Sequence, residues 1–238
     1  MTVAFLLACV GVSFVLQTRK VKLVRVKPKQ NTKTFSIVVH GGAYTIPNDL
    51  KLKAENGCRA AALAGARILQ KNGSAMDAVE AAVNALELNP VFDAGVGSVL
   101  TSEGNIEMDA AIMNGRTLEA GAVACVTSVR NPISLARKVA EKTSHVMLVG
   151  HGADKFAEKI RIPKCSLGDL ATAAARAELL AFQGYDHVVE NVFRAGHDTV
   201  GAVAMDGDGN IAAGTSTGGI TASMPGRIGD SSIVSSAG

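Results

Sequence analysis

The sequence predicts an α+β fold in which helices and sheets are stacked in layers, and two observations lead to this fold class. The chain of 238 residues is 47% hydrophobic but contains only 4% aromatic residues and no Trp. Its core is therefore aliphatic and rich in Ala and Gly, which suits close packing of helices on sheets. The predicted strands and helices also mix without a strict βαβ rhythm, which disfavours a Rossmann sheet or a barrel.

The chain begins with an apolar segment at residues 3–16, followed by a basic linker, and together they form a predicted region 1–34 outside the folded domain. The segment is shorter than the ~20 residues that a membrane-spanning helix needs. Its length fits the apolar part of a signal peptide, but the basic residues follow it instead of preceding it. Such a flank indicates a weak anchor with the following residues in the cytoplasm. A dispensable surface extension is the alternative.

We therefore expect a cytoplasmic protein, with a membrane-anchored, secretory or lysosomal one as the alternative that residues 3–16 leave open. The positive charge is local to the same region. Residues 1–35 hold seven basic residues and no acidic one, whereas the remainder holds 17 basic and 21 acidic residues, a net charge of −4. A basic tail is not a nucleic-acid footprint across a folded face, and no DNA- or RNA-binding motif is present. Nucleic acid is therefore not expected as a partner.

The folded domain is predicted to begin with a short buried strand at residues 35–39. The strand stops at His40-Gly41-Gly42, where glycines let the chain turn sharply. We interpret His40 as a hydrogen-bonded structural group, the more common role of a histidine after a strand, in preference to a site residue.

Two Ala-rich helices are predicted next, at residues 49–71 and 75–88. Asn72-Gly73 ends the first helix as a C-cap, and Ser74 caps the second. A glycine-bearing loop follows at residues 92–98. It lacks both the Walker lysine and the G-x-G-x-x-G spacing, so phosphate binding is not predicted.

The middle of the domain alternates strands and helices before a final hairpin. Strands are predicted at residues 105–109, 120–128 and 145–149, and helices at residues 131–142, 153–159 and 170–182. A turn is expected at Asn114-Gly115. Residues 183–198 are expected to form a loop that leads to the hairpin.

The hairpin is predicted from two stretches of alternating small and apolar residues, Val200–Met205 and Gly209–Gly214. The residues between them are rich in turn formers. Three of these, Asp206, Asp208 and Asn210, also match the first ligand positions of a calcium loop. However, Ile replaces the required Gly of such a loop and Thr replaces its bidentate Glu, so a plain hairpin is favoured.

The four cysteines, Cys9, Cys58, Cys125 and Cys165, are not paired at metal-binding spacing, and there is no C-x-x-C motif. Isolated buried thiols are the better interpretation than disulfides. No metal or cofactor is therefore expected.

Thr199, at the mouth of the first hairpin strand, is a candidate nucleophile. An internal threonine is a poor nucleophile because its hydroxyl has no base attached. If the chain is cut between Asp198 and Thr199, the freed α-amine, with a reference pKa of ~7.7–8.0, takes the hydroxyl proton at neutral pH. On spacing alone, an ordinary strand threonine would remain the better interpretation.

Two sets of motifs identify a family resemblance. One set is HDTVGAVAMDGDGNIAAGTSTGG with the PGRIGDS that follows, and the other lies upstream in IVVHGGA, NPVFDAGVGSVLTSEGNIEMDAAIM and NPISLARKVAEKTSHVMLVG. With these motifs, the sequence resembles the plant-type L-asparaginase / isoaspartyl peptidase family of threonine N-terminal-nucleophile hydrolases, of which the glycosylasparaginases are a related branch. The resemblance covers about residues 36–238.

The resemblance implies a four-layer αββα sandwich that is made as a precursor and cuts itself in two. The hydrolase domain would occupy residues 35–238, with an α-chain at 35–198 and the start of a β-chain at 199–238. The two chains would form an α/β heterodimer, and two heterodimers a homodimer. Because the family's β-chain continues beyond the position of Gly238, the sandwich is expected to be incomplete at this end, without the threonine-glycine segment that supplies an oxyanion hole.

The resemblance also assigns roles to the site residues. Thr199 would be the nucleophile and Thr217 a second, assisting threonine. In the segment from Arg227 through Ile228 and Gly229 to Asp230, Arg227 would bind the α-carboxylate of the substrate and Asp230 its α-ammonium group. The implied substrates are L-asparagine and β-aspartyl (isoaspartyl) peptides.

Two alternatives accompany this reading. The stretch NIAAGTST leans towards the glycosylasparaginase branch, although the upstream motifs lean more strongly towards the asparaginases. A non-catalytic member is the second alternative, because part of the pocket is expected to be missing. Asp93 also stands where the asparaginases usually have Asn, and its charge is expected to lie close to the developing oxyanion.

Overall fold

The computed structural model describes residues 34–43, 46–182 and 199–234. The predicted apolar segment and the loop at 183–198 lie outside the described residues. The strands are β1 Ser36–His40, β2 Met108–Asn114, β3 Ala120–Val126, β4 Met147–Val149, β5 Val200–Met205 and β6 Ile211–Thr217. The helices are α1 Lys51–Gln70, α2 Ala75–Glu87, α3 Pro132–Lys142, α4 Gly150–Lys159, α5 Leu167–Leu170 and α6 Ala173–Phe182. A 3₁₀ turn follows at Asp230–Ser232.

The six strands form one sheet in the order β1-β5-β6-β2-β3-β4, antiparallel except for the parallel β3–β4 pair. Helices α1, α2 and α3 pack along it, with α2 against β5 and β6 and α3 against β3. The predicted α+β class is therefore confirmed. In the described parts of the chain, this sheet and its helices are the layers of the sandwich. None of the described helices is both long enough and apolar enough to cross a membrane.

Glycine and alanine bring the layers close together, as the composition predicts. A Cβ on Gly214 of β6 would lie 2.8 Å from a methyl carbon of Val79 in α2, closer than side chains pack. A Cβ on Gly65 of α1 would lie 2.7 Å from the carbonyl oxygen of Ala78 in α2. The missing side chains thus set the spacing of α1, α2 and the sheet.

Two strand predictions were misplaced. Strand β2 begins at Met108, beyond most of the predicted 105–109, because a tight turn holds the residues before it: the Thr101 N–H donates to the Asn105 carbonyl at 2.8 Å. Strand β6 runs through Thr217 and begins only at Ile211, because Gly209, with φ of 82°, belongs to the turn.

The helix predicted at 170–182 is divided, with Thr172 at the break. Its hydroxyl oxygen accepts the Ala175 N–H at 3.1 Å, so it caps the second part, α6. The predicted cap of α2 is confirmed, since the Ser74 hydroxyl oxygen accepts the Asp77 N–H at 3.1 Å. Cys58 and Cys125 are buried thiols that form no disulfide, as predicted, and Cys165 is a partly buried one; Cys9 lies outside the described residues.

Glu87 joins α2 to α3 through a fully buried carboxylate. One oxygen accepts the backbone N–H of Ile133 and the other the side-chain N–H of Asn131, both at 2.9 Å, at the N-terminus of α3. The Ser216 hydroxyl of β6 approaches the same carboxylate without full hydrogen-bond geometry. Burial raises the pKa of Glu87 from 4.5 to about 7, although these groups oppose the rise.

We expect Glu87→Gln to change the pH dependence of stability. Because the native pKa lies above the unfolded one, the native state binds more protons between these two values, so the wild-type free energy of unfolding falls as the pH rises from about 4.5 to 7. The Gln variant cannot titrate, and its stability relative to wild type should rise across this window by up to about 3 kcal/mol. Urea unfolding at pH 4.5, 5.5 and 7 measures the difference. The same change at exposed Glu103 is the control, and a relative stability of Glu87→Gln that is flat with pH contradicts the expectation.

Candidate active site

The candidate site lies where β1 ends, β5 begins, β6 ends and β2 begins. Antiparallel pairing brings these four strand ends together at one end of the sheet. Val200 pairs with Ser216, and Thr217 pairs with Asp109. Continuing the β5–β6 register by one residue places Thr199 opposite Thr217. Residues that face each other across antiparallel strands share a face of the sheet. Thr199, Thr217 and Asp109 therefore form one row across three strands.

The Thr199 hydroxyl has a defined partner. Its Oγ1 lies 3.0 Å from Oγ of Ser231, and either atom is able to donate. Ser231 is itself fixed, because its carbonyl accepts the hydroxyl of Thr215 at 2.7 Å. Since Thr215 precedes Thr217 by two residues on β6, the same strand supplies one threonine to the row and another that anchors the partner of Thr199.

His40 holds the backbone of Thr199. Its ring packs against Gly201, where a Cβ would collide with Nε2, and it hydrogen-bonds the backbone of Thr199. Burial lowers the pKa of His40, and the bond to Thr199 partly offsets that effect. This is the hydrogen-bonded structural position that the sequence favoured, and it lies directly beside the candidate nucleophile.

Thr217 is 4% exposed, and its Oγ1 accepts the Gly219 N–H at 3.2 Å as the chain leaves β6. Gly218, between them, has no room for a side chain, because a Cβ would lie 2.5 Å from the Cβ of Ser98. Its N–H donates to the Asp93 carbonyl at 2.8 Å. The glycine-bearing loop and the end of β6 are thus pressed together.

Asp93, which the family resemblance assigns to a loop near the nucleophile, lies in this contact with Gly218. It is 7% exposed, and its Oδ1 accepts the Val99 N–H at 2.9 Å and touches Gly218. A cavity of about 1040 Å³ opens beside it, between α1, the loop and α6. Glu178 of α6 lines this cavity and accepts the hydroxyl of Thr221 at 2.7 Å.

The segment after β6 carries the predicted substrate-binding residues and is attached to Asp109 of β2 and to Glu107, the residue before β2. The Gly229 N–H donates to Oδ2 of Asp109 at 3.0 Å, and the Gly226 N–H donates to Oε2 of Glu107 at 2.7 Å. Arg227 is exposed, and its Nη1 lies 3.1 Å from where a Cβ on Gly229 would stand. Burial raises the pKa of Asp109, and the charge of Arg227 acts against that rise.

The structure therefore brings Thr199 and Thr217 into one row and attaches the segment of Arg227, Ile228, Gly229 and Asp230 to the third member of that row. Ile228 is 40% exposed and Asp230 is exposed, whereas Gly229 is buried. Asp198, the other half of the predicted cleavage bond, lies outside the described residues. The roles of these residues stay predictions. Among the residues that the structure describes, no group of three or more His, Cys, Asp or Glu side chains is arranged to hold a metal ion.

Sequence reasoning missed Ser231, Asp109 and Glu107. Asp109 had a local signal, because it is a single charge inside the apolar run Met108–Met113, which reads as a strand buried on both faces. A charge at such a position needs partners. Ser231 had no signal of its own, since its contact with Thr199 spans 32 residues.

Comparison with known proteins agrees with the resemblance seen in the sequence. A sequence model described as asparaginase matches residues 33–238. The plant-type L-asparaginase of Pyrococcus abyssi is 48% identical over 209 residues, which cover 84% of this chain and 68% of the relative. The plant-type L-asparaginase of Thermococcus kodakarensis is 48% identical over 219 residues, with the same coverage. The isoaspartyl peptidase/L-asparaginase of Mus musculus is 47% identical over 203 residues, which cover 85% of this chain and 62% of the relative. The chain belongs to the asparaginase family of N-terminal-nucleophile hydrolases.

Proposed function

We propose that this chain is a threonine amidohydrolase that cuts itself before Thr199 and then hydrolyses L-asparagine and β-aspartyl peptides. The observation that carries the proposal is the row of Thr199, Thr217 and Asp109 at the strand ends. In this row Thr199 lies opposite Thr217, and its hydroxyl is held by Ser231. The relatives named plant-type L-asparaginase and isoaspartyl peptidase/L-asparaginase support the same substrates.

The proposed self-cleavage needs only the chain's own atoms and water. The hydroxyl oxygen of Thr199 attacks the carbonyl carbon of Asp198, the peptide C–N bond breaks, and the hydroxyl proton ends on the released amine. This N-to-O shift leaves an ester, and water hydrolyses it to a carboxyl group on Asp198 and a free hydroxyl on Thr199. The contact between Thr199 and Ser231 keeps the attacking hydroxyl at the mouth of β5.

In the mature protein the freed α-amine of Thr199 is the proposed base. It takes the hydroxyl proton while the oxygen attacks the side-chain amide carbon of the substrate. The proton then passes to the leaving nitrogen, which departs as ammonia from asparagine or as a free amine from a β-aspartyl peptide. Water cleaves the resulting aspartyl ester, and Thr217, on the same row, is proposed to assist the nucleophile.

Substrate recognition is proposed for the segment after β6. The guanidinium group of Arg227 matches the geometry of an α-carboxylate, and Asp230 offers the opposite charge to the α-ammonium group. Both side chains are exposed at the end of the sheet that carries Thr199 and Thr217. An amino-acid substrate held at these two charges directs its side-chain amide towards the row.

The same proposal covers the organisation of the domain. Residues 35–198 would form the α-chain and residues 199–238 the start of the β-chain, and the active form would be a dimer of α/β heterodimers in the cytoplasm. Strands β5 and β6 would stay paired with β1 and β2 after the cut, because the sheet hydrogen bonds do not involve the cleaved bond.

Replacing the nucleophile tests the proposal directly. Thr199→Ala should abolish self-cleavage and lower ammonia release from L-asparagine by at least ~10³-fold, because no hydroxyl remains to attack. Thr199→Ser should retain part of both. Mass spectrometry of the purified chain locates the cut, and a coupled ammonia assay measures hydrolysis. Thr117→Ala, an exposed threonine between β2 and β3, is the matched control. Ammonia release by Thr199→Ala at the wild-type rate would refute the proposed nucleophile.

Ser231→Ala should slow self-cleavage by about 2- to 13-fold, the effect of losing one neutral hydrogen bond of ~0.5–1.5 kcal/mol at the attacking hydroxyl. The intact and cut chains are followed over time on a denaturing gel. Ser232→Ala is the matched control, since Ser232 is equally buried and its hydroxyl has no hydrogen-bond partner among the described residues. Equal cleavage rates for the two variants would show that the contact with Thr199 does not matter.

A further inference from the structure

Asp109 is a buried carboxylate whose two oxygens hold two different parts of the chain. It is 2% exposed in β2. Oδ1 accepts the backbone N–H of Cys125 at 2.9 Å, and Oδ2 accepts the backbone N–H of Gly229 at 3.0 Å. Because Cys125 belongs to the central sheet and Gly229 to the segment after β6, the carboxylate links a rigid element to the segment that carries Arg227 and Asp230.

A β-bulge fixes the first of these contacts. Met108 pairs with Val126 but Ala110 pairs with Val123, so two residues of β3, Ala124 and Cys125, lie opposite Asp109 alone. Cys125 has a φ of 50°, in the left-handed region that non-glycine residues rarely adopt. Such a bulge disrupts the ladder locally and re-aims side chains. Oδ1 of Asp109 accepts the N–H of Cys125 in the bulge, and this contact sets the orientation of the Asp109 carboxylate.

The second oxygen then sets the position of residues 226–230, which we call the clamp segment. Glu107 gives the segment a second attachment, since its Oε2 accepts the Gly226 N–H at 2.7 Å. The two attachments lie on either side of Arg227. The side chain of Arg227 turns back towards Gly229, where its positive charge acts on Asp109. The start of β2 and the residue before it thus hold the backbone of the clamp segment, and Asp109 attracts the charge of Arg227.

Asp109 also pairs in register with Thr217. The residue that holds the clamp segment is therefore a member of the row that carries Thr217 and the candidate nucleophile. Small displacements between a binding group and a nucleophile are costly, since productive attack requires the reacting atoms at ~3–3.5 Å.

We propose that Asp109 is a positioning residue that fixes Arg227 and Asp230 relative to Thr199 and Thr217, so that a ligand with an α-carboxylate and an α-ammonium group is bound in one orientation. The identity of that ligand rests on the proposed function. Asp109 acts through the Gly229 N–H and the Arg227 charge and does not itself contact the substrate. Glu107 has the same role at Gly226, with a weaker effect because it is only partly buried.

Asp109→Asn tests the inference with L-aspartate, the product of the proposed reaction, as the probe. An asparagine has one acceptor oxygen, so its amide N–H₂ must face one of the two donors, and the charge beside Arg227 is lost. Isothermal titration should show L-aspartate binding about 10-fold more weakly than to the wild-type chain. The KM for L-asparagine should rise by a similar factor with kcat changed less than about 3-fold.

Asp206→Asn is the matched control. Asp206 is also a buried carboxylate that accepts backbone N–H groups, but it lies in the hairpin turn at the opposite end of β5 and β6. It should leave L-aspartate binding unchanged even if it lowers stability. If Asp109→Asn does not fold, Glu107→Gln replaces it, with an expected loss of about 3-fold in L-aspartate binding. Combining Asp109→Asn with Arg227→Ala should weaken binding by less than the product of the two single fold-losses, because Asp109 acts in part through Arg227.

The outcomes separate the inference from the proposed function. Wild-type binding of L-aspartate by Asp109→Asn, or additive losses in the double variant, overturns the positioning role even if ammonia is released from L-asparagine. A wild-type chain that binds L-aspartate in an Asp109-dependent way but releases no ammonia supports the positioning role and refutes the proposed function.

Discussion

The register of the paired strands β5, β6 and β2 is the constraint on which the rest of the site depends. A slip of one residue in β6 would turn Thr217 to the helix side and present Ser216 in its place, because side chains alternate between faces. The register is protected on both faces. Val200 and Ser216 are completely buried against the helices, where Glu87 approaches the Ser216 hydroxyl. On the other face, Thr215 is bonded to Ser231.

The hairpin turn at the far end of the strands is held by its own set of contacts. Asp206 accepts the backbone N–H groups of Asp208 and Asn210, both at 3.0 Å, and the N–H of Ala75 at 3.3 Å. The last contact ties the turn to the first residue of α2. The carboxylate that suggested a calcium loop is therefore occupied by the backbone, and this contact couples the position of the hairpin to the helix layer.

Local patterns in the sequence were sufficient for much of the fold, whereas the candidate site residues were named by the family resemblance. The cap at Ser74 and the hairpin each depend on neighbours within a few residues, so pattern and spacing predict them. The bulge at Cys125 and the attachment of Gly229 to Asp109 depend on contacts over 16 and 120 residues, which no local pattern encodes. The family resemblance named residues of the clamp but gave no reason for their position, because that reason lies in a strand more than a hundred residues earlier.

Two of the buried carboxylates, Glu87 and Asp109, show how burial and hydrogen bonding divide structural from proposed site roles. Glu87 is completely buried against the helix layer, and its pKa of about 7 reflects a burial cost that its partners only partly offset. Asp109 also has a pKa raised by burial, but it has a cation nearby in Arg227 and donors on both oxygens. A carboxylate with these partners stays charged at lower pH than burial alone would allow. Because the charge of Asp109 attracts Arg227 while its oxygens accept backbone N–H groups, the guanidinium group keeps its donors for the carboxylate of the proposed substrate. For the proposed substrate, preorganisation of this kind lowers the entropy lost on binding, and this proposal gives a reason for a charge in the interior of an otherwise apolar strand.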